Sequence, residues 1–273
     1  MSDRRTHPRT ALVTGASTGI GAEYARQLAE RGFALVLVAR RGDLLAERAA
    51  GLRDRYGAAV EELPADLTDG DGLASVEERL RATGEDGGPA PVDLLVNNAG
   101  QGHGGSFAGQ ETAAVDSAIA LNVRAVTRLA RAVLPVQIER SKAADGALLV
   151  GVINVASVAG LLPSSPGGAV YAASKAYVRS FSETIAVEVG KHGVKVSAVL
   201  PGYVRTDMTE YVQNAGAPDI AFVPKEKVVA DSLRAWAAGR LQVVPGLQYK
   251  AASGLLRVVP HGLFNTVAKR FGG

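Results

Sequence analysis

The sequence predicts an α/β fold: a single domain with a doubly wound parallel sheet of about seven strands and helices on both faces. Short runs rich in Val, Leu and Ile recur along the 273 residues and alternate with segments of helical periodicity. The runs are apolar on both faces, which is typical of parallel strands covered by helices on each side. Right-handed crossovers then favour the doubly wound arrangement, and a chain of this length fits one such core.

The individual elements follow from this alternation. Strands are predicted at Ala11–Val13, Ala34–Val38, Val60–Leu63, Leu94–Val96, Leu148–Val155 and Val194–Leu200, with a short last strand near Leu241–Val244. Helices are predicted at Gly21–Arg31, Asp43–Tyr56, Gly72–Thr83, Thr112–Arg140 and Tyr171–Gly190. Just past three helix ends, where a left-handed cap residue is expected, stand Gly32, Gly57 and Gly193.

The composition narrows the classes of function. There are 30 Lys and Arg against 27 Asp and Glu, for a net charge of +3, and the basic residues are scattered. This distribution argues against a nucleic-acid partner. Cysteine is absent, and the four histidines show no metal-ligand spacing, His103 being expected at the surface. We therefore expect no bound metal, and a small molecule as the substrate.

No targeting or membrane segment is predicted. The charged first residues are not followed by the apolar stretch of a secretory signal. The longest apolar stretch, Leu148–Pro163, contains Asn154 and Ser157 and is too short and too polar to span a membrane. We expect a cytoplasmic protein with no stable membrane insertion.

The predicted domain covers residues 1–273 in three parts. Residues 10–205 form the core, and residues 206–240 form a substrate lid region in which Thr206–Lys225 lacks a clear strand or long helix. Residues 241–273 hold the last strand and an apolar tail with interspersed Lys and Arg. This tail is predicted to be a covering helix pair or an oligomer contact rather than a helix on a membrane surface.

A glycine-rich loop joins the first predicted strand to the first predicted helix, and its sequence is TGASTGIG at 14–21. Glycines let the backbone approach a pyrophosphate, while the helix N-terminus presents free N–H groups and a positive dipole end to the anion. The spacing is G-x-x-x-G-x-G, and a purely structural bend is the alternative, but the flanking strand and helix favour dinucleotide binding. The candidate ligands are Gly15, Ser17, Thr18, Gly19, Ile20 and Gly21.

The ends of the next strands predict the type of dinucleotide. The second strand ends in Ala39-Arg40-Arg41, without the acid that would bind a ribose 2′-hydroxyl. Arg40 is expected to pair with a 2′-phosphate, which favours NADP over NAD, although a solvated arginine is the alternative. The third strand is followed by Asp66, an expected partner of the adenine amino group, and Leu67. The fourth is followed by Asn98, Ala99 and Gly100, where the asparagine is expected to serve both the turn and the cofactor.

Tyr171 and Lys175 lie four residues apart in a helical segment, so both side chains project from one face. Tyrosine normally ionises near 10, and a neighbouring positive charge, from Lys175 and from an oxidised nicotinamide when one is present, is expected to depress the pKa of Tyr171 enough for acid/base catalysis. Because such a pair is common on solvated helices, it needs support from other residues. Ser157 supplies a hydroxyl at a strand end to hold a substrate oxygen. Asn122 is an amide in an apolar helix, where it kinks the helix or binds a water that relays protons to Lys175.

In this order and spacing, the motifs resemble those of the short-chain dehydrogenase/reductase family over nearly the whole chain. The likeness is carried by TGASTGIG at 14–21, Asp66, NNAG at 97–100, Asn122, Ser157, YAASK at 171–175 and PGYVRT at 201–206. The resemblance implies a Rossmann-like fold and a hydride transfer between NADP(H) and a carbonyl or secondary alcohol. It further implies a homodimer or homotetramer built on the helices of Thr112–Arg140 and Tyr171–Gly190.

The resemblance also implies residue roles. Asn122, Ser157, Tyr171 and Lys175 would form a catalytic tetrad in which Tyr171 is the general acid/base, and Lys175 would also bind the nicotinamide ribose. The implied cofactor contacts further include Tyr171, Pro201, Gly202, Val204 and Thr206, of which Val204 and Thr206 would meet the carboxamide.

The sequence departs from the family pattern at two places. Ser157 precedes Tyr171 by fourteen residues, one more than is common, which predicts an insertion in the Ser164–Gly168 loop. Thr18 replaces the basic residue of some NADP-binding members, so phosphate recognition would depend on Arg40, with help from Arg41 and Ser17.

Two other functions compete with that of an enzyme of this kind. The main alternative is a non-catalytic NADP-binding regulatory or scaffold protein on the same fold, which would be expected to lose part of the tetrad. An extended sugar-nucleotide epimerase or dehydratase is disfavoured by the chain length. For the enzyme, pocket walls are expected at Gln101–Phe107, Leu161–Gly168 and Tyr203–Phe222, whose small and apolar residues suit a lipophilic or modest-sized carbonyl compound.

Overall fold

The computed structural model of the protein describes residues 9–102 and 104–256. Its sheet has seven parallel strands in the order β3-β2-β1-β4-β5-β6-β7. The strands are β1 Thr10–Thr14, β2 Ala34–Ala39, β3 Val60–Pro64, β4 Leu94–Asn97, β5 Gly151–Val155, β6 Lys195–Val199 and β7 Gln242–Val243. The predicted doubly wound parallel sheet is confirmed. The strand bounds agree with the prediction to within one residue, except that β5 begins three residues later than predicted.

Nine α-helices lie within the described residues: α1 Gly19–Glu30, α2 Gly42–Tyr56, α3 Gly70–Arg81, α4 Thr112–Ile119, α5 Val126–Ala143, α6 Ala169–Gly190, α7 Glu210–Asn214, α8 Lys225–Ala237 and α9 Leu247–Leu256. The segment predicted as one helix over Thr112–Arg140 is therefore two helices, and a π-helical turn at Ala120–Ala125 joins them. The sequence prediction did not name α7 or α8, and α9 overlaps the start of the tail that is predicted as a covering helix pair or an oligomer contact. The predicted left-handed caps are confirmed, with φ of 76° at Gly32, 61° at Gly57 and 76° at Gly193.

Two apolar clusters cover the two faces of the sheet. Successive side chains of a strand point to opposite faces, so Val13 of β1 packs with Leu28, Leu45 and Trp236 from α1, α2 and α8. Its neighbour Leu12 packs into the other cluster, which draws on α3, α5 and α6. This double burial explains why the strands are apolar runs rather than alternating ones.

The topology brings the candidate residues to one edge of the sheet. β1 lies between β2 and β4, so successive crossovers depart to opposite sides at this point, and a crevice is expected at the carboxyl ends of the strands. The loops after β1 to β5 meet at this edge. Between Thr206 and Lys225 lie α7 and two short 3₁₀ turns, Asp207–Thr209 and Asp219–Ala221, which agrees with the prediction of neither a strand nor a long helix.

Two sequence predictions concern residues outside the described part of the chain, and the prediction about membrane spans can be compared with the described residues alone. His103 and the tail beyond residue 256 lie outside the described part of the chain. Across residues 9–102 and 104–256, no helix is long and apolar enough to cross a bilayer.

The start of β5 offers a test of the sheet packing. A Cβ on Gly151 would lie 1.8 Å from the carbonyl oxygen of Lys195 in β6 and 2.8 Å from Nε1 of Trp236. We expect Gly151→Ala to lower the free energy of unfolding by about 3 kcal/mol in chemical denaturation, because backbone must shift to admit the methyl group. The control is Gly51→Ala in α2, where the Cβ meets nothing within 4 Å. That variant should gain about 0.5 kcal/mol, and equal stability of the two would contradict the packing.

Candidate active site

The glycine loop is shaped by close backbone contacts. Gly15 and Gly19 have φ of 65° and 58°, which favour glycine. A Cβ on Gly21 would lie 2.1 Å from the carbonyl oxygen of Gly15, so only hydrogen fits there. At the start of α1, Thr18 makes no side-chain cap hydrogen bond, and the first turn contains no acid. The N-terminal end of this helix can therefore receive an anion.

Thr14 joins this loop to the end of β4. Its Oγ1 accepts hydrogen bonds from the backbone N–H groups of Asn98 and Ala99, each at 3.0 Å. In return, Nδ2 of Asn98 donates to the Thr14 carbonyl at 2.9 Å. Asn98 thus holds the turn, as expected, and whether it also contacts a cofactor stays a prediction. Thr14 was part of the motif in the sequence but was not assigned a role.

The ends of β2 and β3 place Arg40 beside Asp66. The Arg40 side chain is 66% exposed, and its Nη1 lies 3.9 Å from Oδ2 of Asp66. The other carboxylate oxygen of Asp66 accepts hydrogen bonds from N and Oγ1 of Thr68, at 2.8 and 2.7 Å. One carboxylate oxygen is thus engaged by the turn, while Arg40 remains accessible to a ligand. Leu67 is buried in the core.

A second arginine, which the sequence prediction did not single out, reaches the glycine loop. Nη2 of Arg48, on α2, lies 3.5 Å from the carbonyl oxygen of Ser17. Arg41 occupies the N-cap position of α2. Arg40, Arg41 and Arg48 therefore all lie in the segment that begins at the end of β2, together with the acids Asp43 and Glu47.

Asn122 lies fully buried in the π-helical turn between α4 and α5. Its Oδ1 accepts from the N–H of Gln101 at 2.9 Å, and its Nδ2 donates to the Gln101 carbonyl at 2.7 Å and to Oγ of Ser174 at 3.1 Å. The expected break in the helix is present at this amide. A Cβ on Gly100 would lie 3.2 Å from both Oδ1 of Asn122 and Nζ of Lys175, so glycine leaves space between them. The relay water stays a prediction.

Lys175 lies beneath Tyr171 with its side chain buried. Its Nζ donates to the Val155 carbonyl at 2.9 Å and lies 5.7 Å from the centroid of the Tyr171 ring. Lys175 is 5% exposed, and burial lowers the pKa of its ammonium to about 8. Removal of a cation from water disfavours the charged form, which accounts for the direction.

The expectation of a depressed pKa for Tyr171 is wrong for the protein alone. Burial raises the pKa of the phenol, the hydrogen bond with Ser157 lowers it in part, and the nearby Tyr203 raises it. Desolvation of the phenolate thus outweighs stabilisation by neighbours. The pairwise argument from Lys175 omitted this burial. A positive charge on a bound ligand would act in the opposite direction.

Ser157 completes the cluster. It stands at the start of the short turn Val158–Leu161, where its Oγ accepts from the N–H of Ala159 at 3.1 Å. The same oxygen lies 3.5 Å from the Pro201 carbonyl. Ser174, also missed in the sequence, donates to the carbonyl of Tyr171 at 2.8 Å and links that residue to Asn122. The four predicted catalytic residues therefore lie in one connected cluster.

The loop 201–206 faces the glycine loop. Thr206 has its methyl carbon 3.1 Å from the position that a Cβ on Gly19 would take, and Val204 is buried. The Pro201 carbonyl accepts from the N–H of Val158 at 3.0 Å. Gly202 lies against the ring of Tyr249 in α9, which the sequence prediction did not include. These contacts place the loop between the glycine loop and the catalytic cluster.

Aromatic and apolar side chains surround the approach to Tyr171. Tyr203 interacts electrostatically with Tyr171, and Tyr211 interacts with both of these residues. Burial raises the pKa of the Tyr211 hydroxyl. Tyr211 and the nearby Met208 remain 69% and 45% exposed. The ring of Tyr171 also contacts the turn before residue 103, since a Cβ on Gly102 would lie 3.0 Å from its Cδ2. A substrate would thus meet mainly apolar surface with phenol hydroxyls in it.

Comparison with known proteins gives consistent matches. The sequence model of the short chain dehydrogenase family matches residues 9–216. The oxidoreductase UcpA of Salmonella typhimurium is 35% identical over 211 residues, which cover 77% of this chain and 75% of UcpA. A short-chain dehydrogenase from Sphingobium yanoikuyae, solved in complex with NADPH, has a TM-score of 0.78 and 36% identity, covering 92% of this chain and 96% of that one. The bulky-bulky ketone specific alcohol dehydrogenase from Comamonas testosteroni has a TM-score of 0.75 and 33% identity over 92% and 95% of the two chains.

The buried ammonium of Lys175 predicts a dependence of stability on pH. Its pKa falls from 10.5 to about 8 on folding. Since a pKa unit is about 1.4 kcal/mol, the cost below pH 8 is about 3 kcal/mol, and the bond to Val155 returns about 1 kcal/mol. Lys175→Met should therefore raise the free energy of unfolding by about 2 kcal/mol at pH 7.

The sign of the pH effect follows from proton counts. Between pH 8 and 10.5 the unfolded chain holds the Lys175 proton while the folded chain has lost it, so wild-type stability rises with pH. The advantage of Lys175→Met should shrink over this range in denaturation at several pH values. Lys191→Met, at the exposed end of the same helix, serves as control. A constant advantage across this range would contradict the burial of the charge.

Proposed function

This chain belongs to the short-chain dehydrogenase/reductase family, and we propose that it is an NADP(H)-dependent oxidoreductase that transfers a hydride to or from a carbonyl or secondary alcohol carbon. The observation that carries the proposal is the cluster of Ser157, Tyr171 and Lys175 beside the glycine loop. It combines a phenol with a buried ammonium and a hydroxyl at the carboxyl edge of the sheet, where ligands bind in open α/β folds.

The residues present suit a dinucleotide. The backbone of Gly15 and Gly21 comes too close for side chains, and the uncapped start of α1 suits a pyrophosphate, for which Ser17, Thr18, Gly19 and Ile20 supply the remaining contacts. Asp66 and Leu67 would border the adenine, and Asn98, Ala99 and Gly100 the adjoining ribose. Lys175 and Tyr171 would hold the nicotinamide ribose, and Pro201, Gly202, Val204 and Thr206 the nicotinamide side. The cofactor supplies or accepts the hydride.

NADP(H) is proposed over NAD(H) because of the charge at the end of β2. Arg40 is exposed there and weakly held by Asp66, so its guanidinium is free to bind a 2′-phosphate bidentately. Arg41 and Arg48 add positive charge nearby. The similar dehydrogenase from Sphingobium yanoikuyae was solved with NADPH.

Tyr171 is proposed as the group that moves the proton. In reduction its hydroxyl donates a proton to the carbonyl oxygen that Ser157 holds, and in oxidation the phenolate accepts that proton back. The raised pKa of Tyr171 keeps the phenol protonated, which favours reduction. The ammonium of Lys175 stabilises the phenolate that remains after proton donation, and Asn122 fixes the turn at Gly100–Gly102 beside both residues.

The substrate is proposed to be a lipophilic or modest-sized ketone, or the corresponding alcohol. Tyr203 and Tyr211 offer aromatic surface and phenol hydroxyls near Tyr171, and Met208, three residues before Tyr211, is an exposed apolar side chain. A similar alcohol dehydrogenase from Comamonas testosteroni is specific for bulky-bulky ketones, which supports a ketone as the substrate. The non-catalytic alternative is disfavoured because the four predicted catalytic residues form one connected cluster. The homodimer or homotetramer remains a prediction, for which exposed Tyr177 and Val187 on α6 are favourable.

Cofactor preference is tested by the substitution Arg40→Ala. Loss of a charge-assisted contact with the 2′-phosphate should weaken NADPH binding by roughly 10- to 100-fold and leave NADH binding unchanged. Titration of the purified protein with NADPH and NADH, followed by nicotinamide fluorescence, measures both. Arg55→Ala, in the last turn of α2, is the control. Equal affinity for the two cofactors in the wild type would contradict the preference, and binding of neither would contradict both the enzyme and the non-catalytic NADP-binding alternative.

Acid/base catalysis is tested by Tyr171→Phe. We expect kcat for ketone reduction to fall by roughly 100-fold or more, with much less change in NADPH affinity. Tyr177→Phe is the matched control on the same helix, since its hydroxyl bonds only Thr127 at 2.9 Å among the residues described. Wild-type reduction should be constant below pH 8 and decline above it, because Lys175 loses its proton there. Full activity of Tyr171→Phe would exclude the proposed role.

A further inference from the structure

Tyr249, in the first turn of α9, connects two segments on either side of the candidate site. Its hydroxyl accepts a hydrogen bond from the N–H of Tyr203 at 3.1 Å and donates one to the Ala221 carbonyl at 2.6 Å. Tyr203 belongs to the loop 201–206, and Ala221 ends the turn Asp219–Ala221. We call these two hydrogen bonds the Tyr249 bridge. One phenol thus serves both segments at once.

The ring of Tyr249 also makes a close contact, with Gly202 of the loop 201–206. A Cβ on Gly202 would lie 2.0 Å from Cε2 of the ring, so glycine at this position makes room for it. The neighbouring Gln248 donates from Nε2 to the Ile220 carbonyl at 3.1 Å, a contact with the turn alone. The first turn of α9 therefore reaches the loop through Tyr249 and the turn through both residues.

The loop and the turn also contact each other directly. The Val223 N–H donates to the Tyr203 carbonyl at 2.8 Å, and the guanidinium of Arg205 lies 4.1 Å above the Phe222 ring. Arg205 also pairs with Asp219. The two segments are therefore one layer over the site, and the Tyr249 bridge fixes this layer from outside the sheet. The ring of Tyr249 also packs against the core cluster that contains Val13.

We propose that Tyr249 is a positioning residue that orders the loop 201–206 and the turn Asp219–Ala221 together and thereby sets how tightly NADP(H) is retained. This inference rests on the proposed function, which assigns the carboxamide of the cofactor to Val204 and Thr206. If the loop is ordered before the cofactor arrives, binding has less conformational entropy to lose. If the bridge is removed, that entropy must be lost on binding, and the cofactor dissociates faster.

The first experiment measures the Tyr249 bridge without any cofactor. Tyr249→Phe keeps the ring against Gly202 and removes both hydrogen bonds. Amide hydrogen exchange in peptides covering 203–222 should become at least several-fold faster in this variant. Tyr56→Phe is the control, because it also removes a phenol hydroxyl but at the end of α2, where Tyr56 accepts a hydrogen bond from Arg26 of α1. Unchanged exchange in Tyr249→Phe would overturn the proposal.

The second experiment measures cofactor retention. The dissociation constant of NADPH should rise roughly tenfold in Tyr249→Phe, through a faster dissociation rate, since about 1.4 kcal/mol corresponds to a factor of ten. Gln248→Ala removes only the hydrogen bond to the Ile220 carbonyl and keeps the Tyr249 bridge, so NADPH affinity should stay unchanged while the KM for a ketone rises. The Tm of both variants should stay near that of the wild type, which separates positioning from loss of structure.

The outcomes distinguish this inference from the proposed function. Faster hydrogen exchange with unchanged NADPH affinity overturns the coupling, and so does an equal loss of affinity in Gln248→Ala or Tyr56→Phe. If the wild type binds neither NADPH nor NADH, the proposed function fails. The exchange measurement needs no cofactor, so it still decides whether the Tyr249 bridge orders the loop.

Discussion

The hydrogen bonds between Thr14 and the backbone at Asn98 and Ala99 support the rest of the candidate site. They join β1 to β4 where the crossovers diverge, so they fix the glycine loop and the turn at Gly100–Gly102 relative to each other. That turn approaches Asn122, Tyr171 and Lys175 closely enough that side chains at 100 and 102 would crowd them. A displacement of either strand end would therefore separate the cofactor side of the site from its acid/base residues.

The sheet could be predicted from the sequence because parallel strands must be apolar on both faces. Leu12 and Val13 are adjacent and enter opposite clusters, and the same alternation recurs in β2 and β4, whereas the edge strand β3 carries two glutamates. The positions of the candidate residues followed from strand ends in the same way, since the loops after parallel strands meet at one edge. The break at Asn122 was also predictable, because an amide among apolar helical residues needs hydrogen-bond partners when it is buried.

The sequence could not predict properties that depend on packing or on distant partners. The pKa of Tyr171 was inferred from its spacing to Lys175, whereas burial, which only the tertiary structure reveals, decides its direction. Tyr249 contacts a residue 46 positions away and has no local signal. By contrast, α8 carries a helical pattern of apolar residues after Pro224 and could have been found.

The sheet with the predicted catalytic residues and the helix α9, which contacts the loop 201–206, lie in separate parts of the chain. The segment that ends at Gly246 already contains all seven strands and the four predicted catalytic residues, while α9 adds contacts from outside the sheet. Gly202, in the loop after β6, leaves room for the ring of Tyr249 in α9. In evolutionary terms, substitutions in this last described helix could adjust the speed of a catalytic cycle while the chemistry stays as it is, so closely related sequences can diverge in turnover without diverging in reaction.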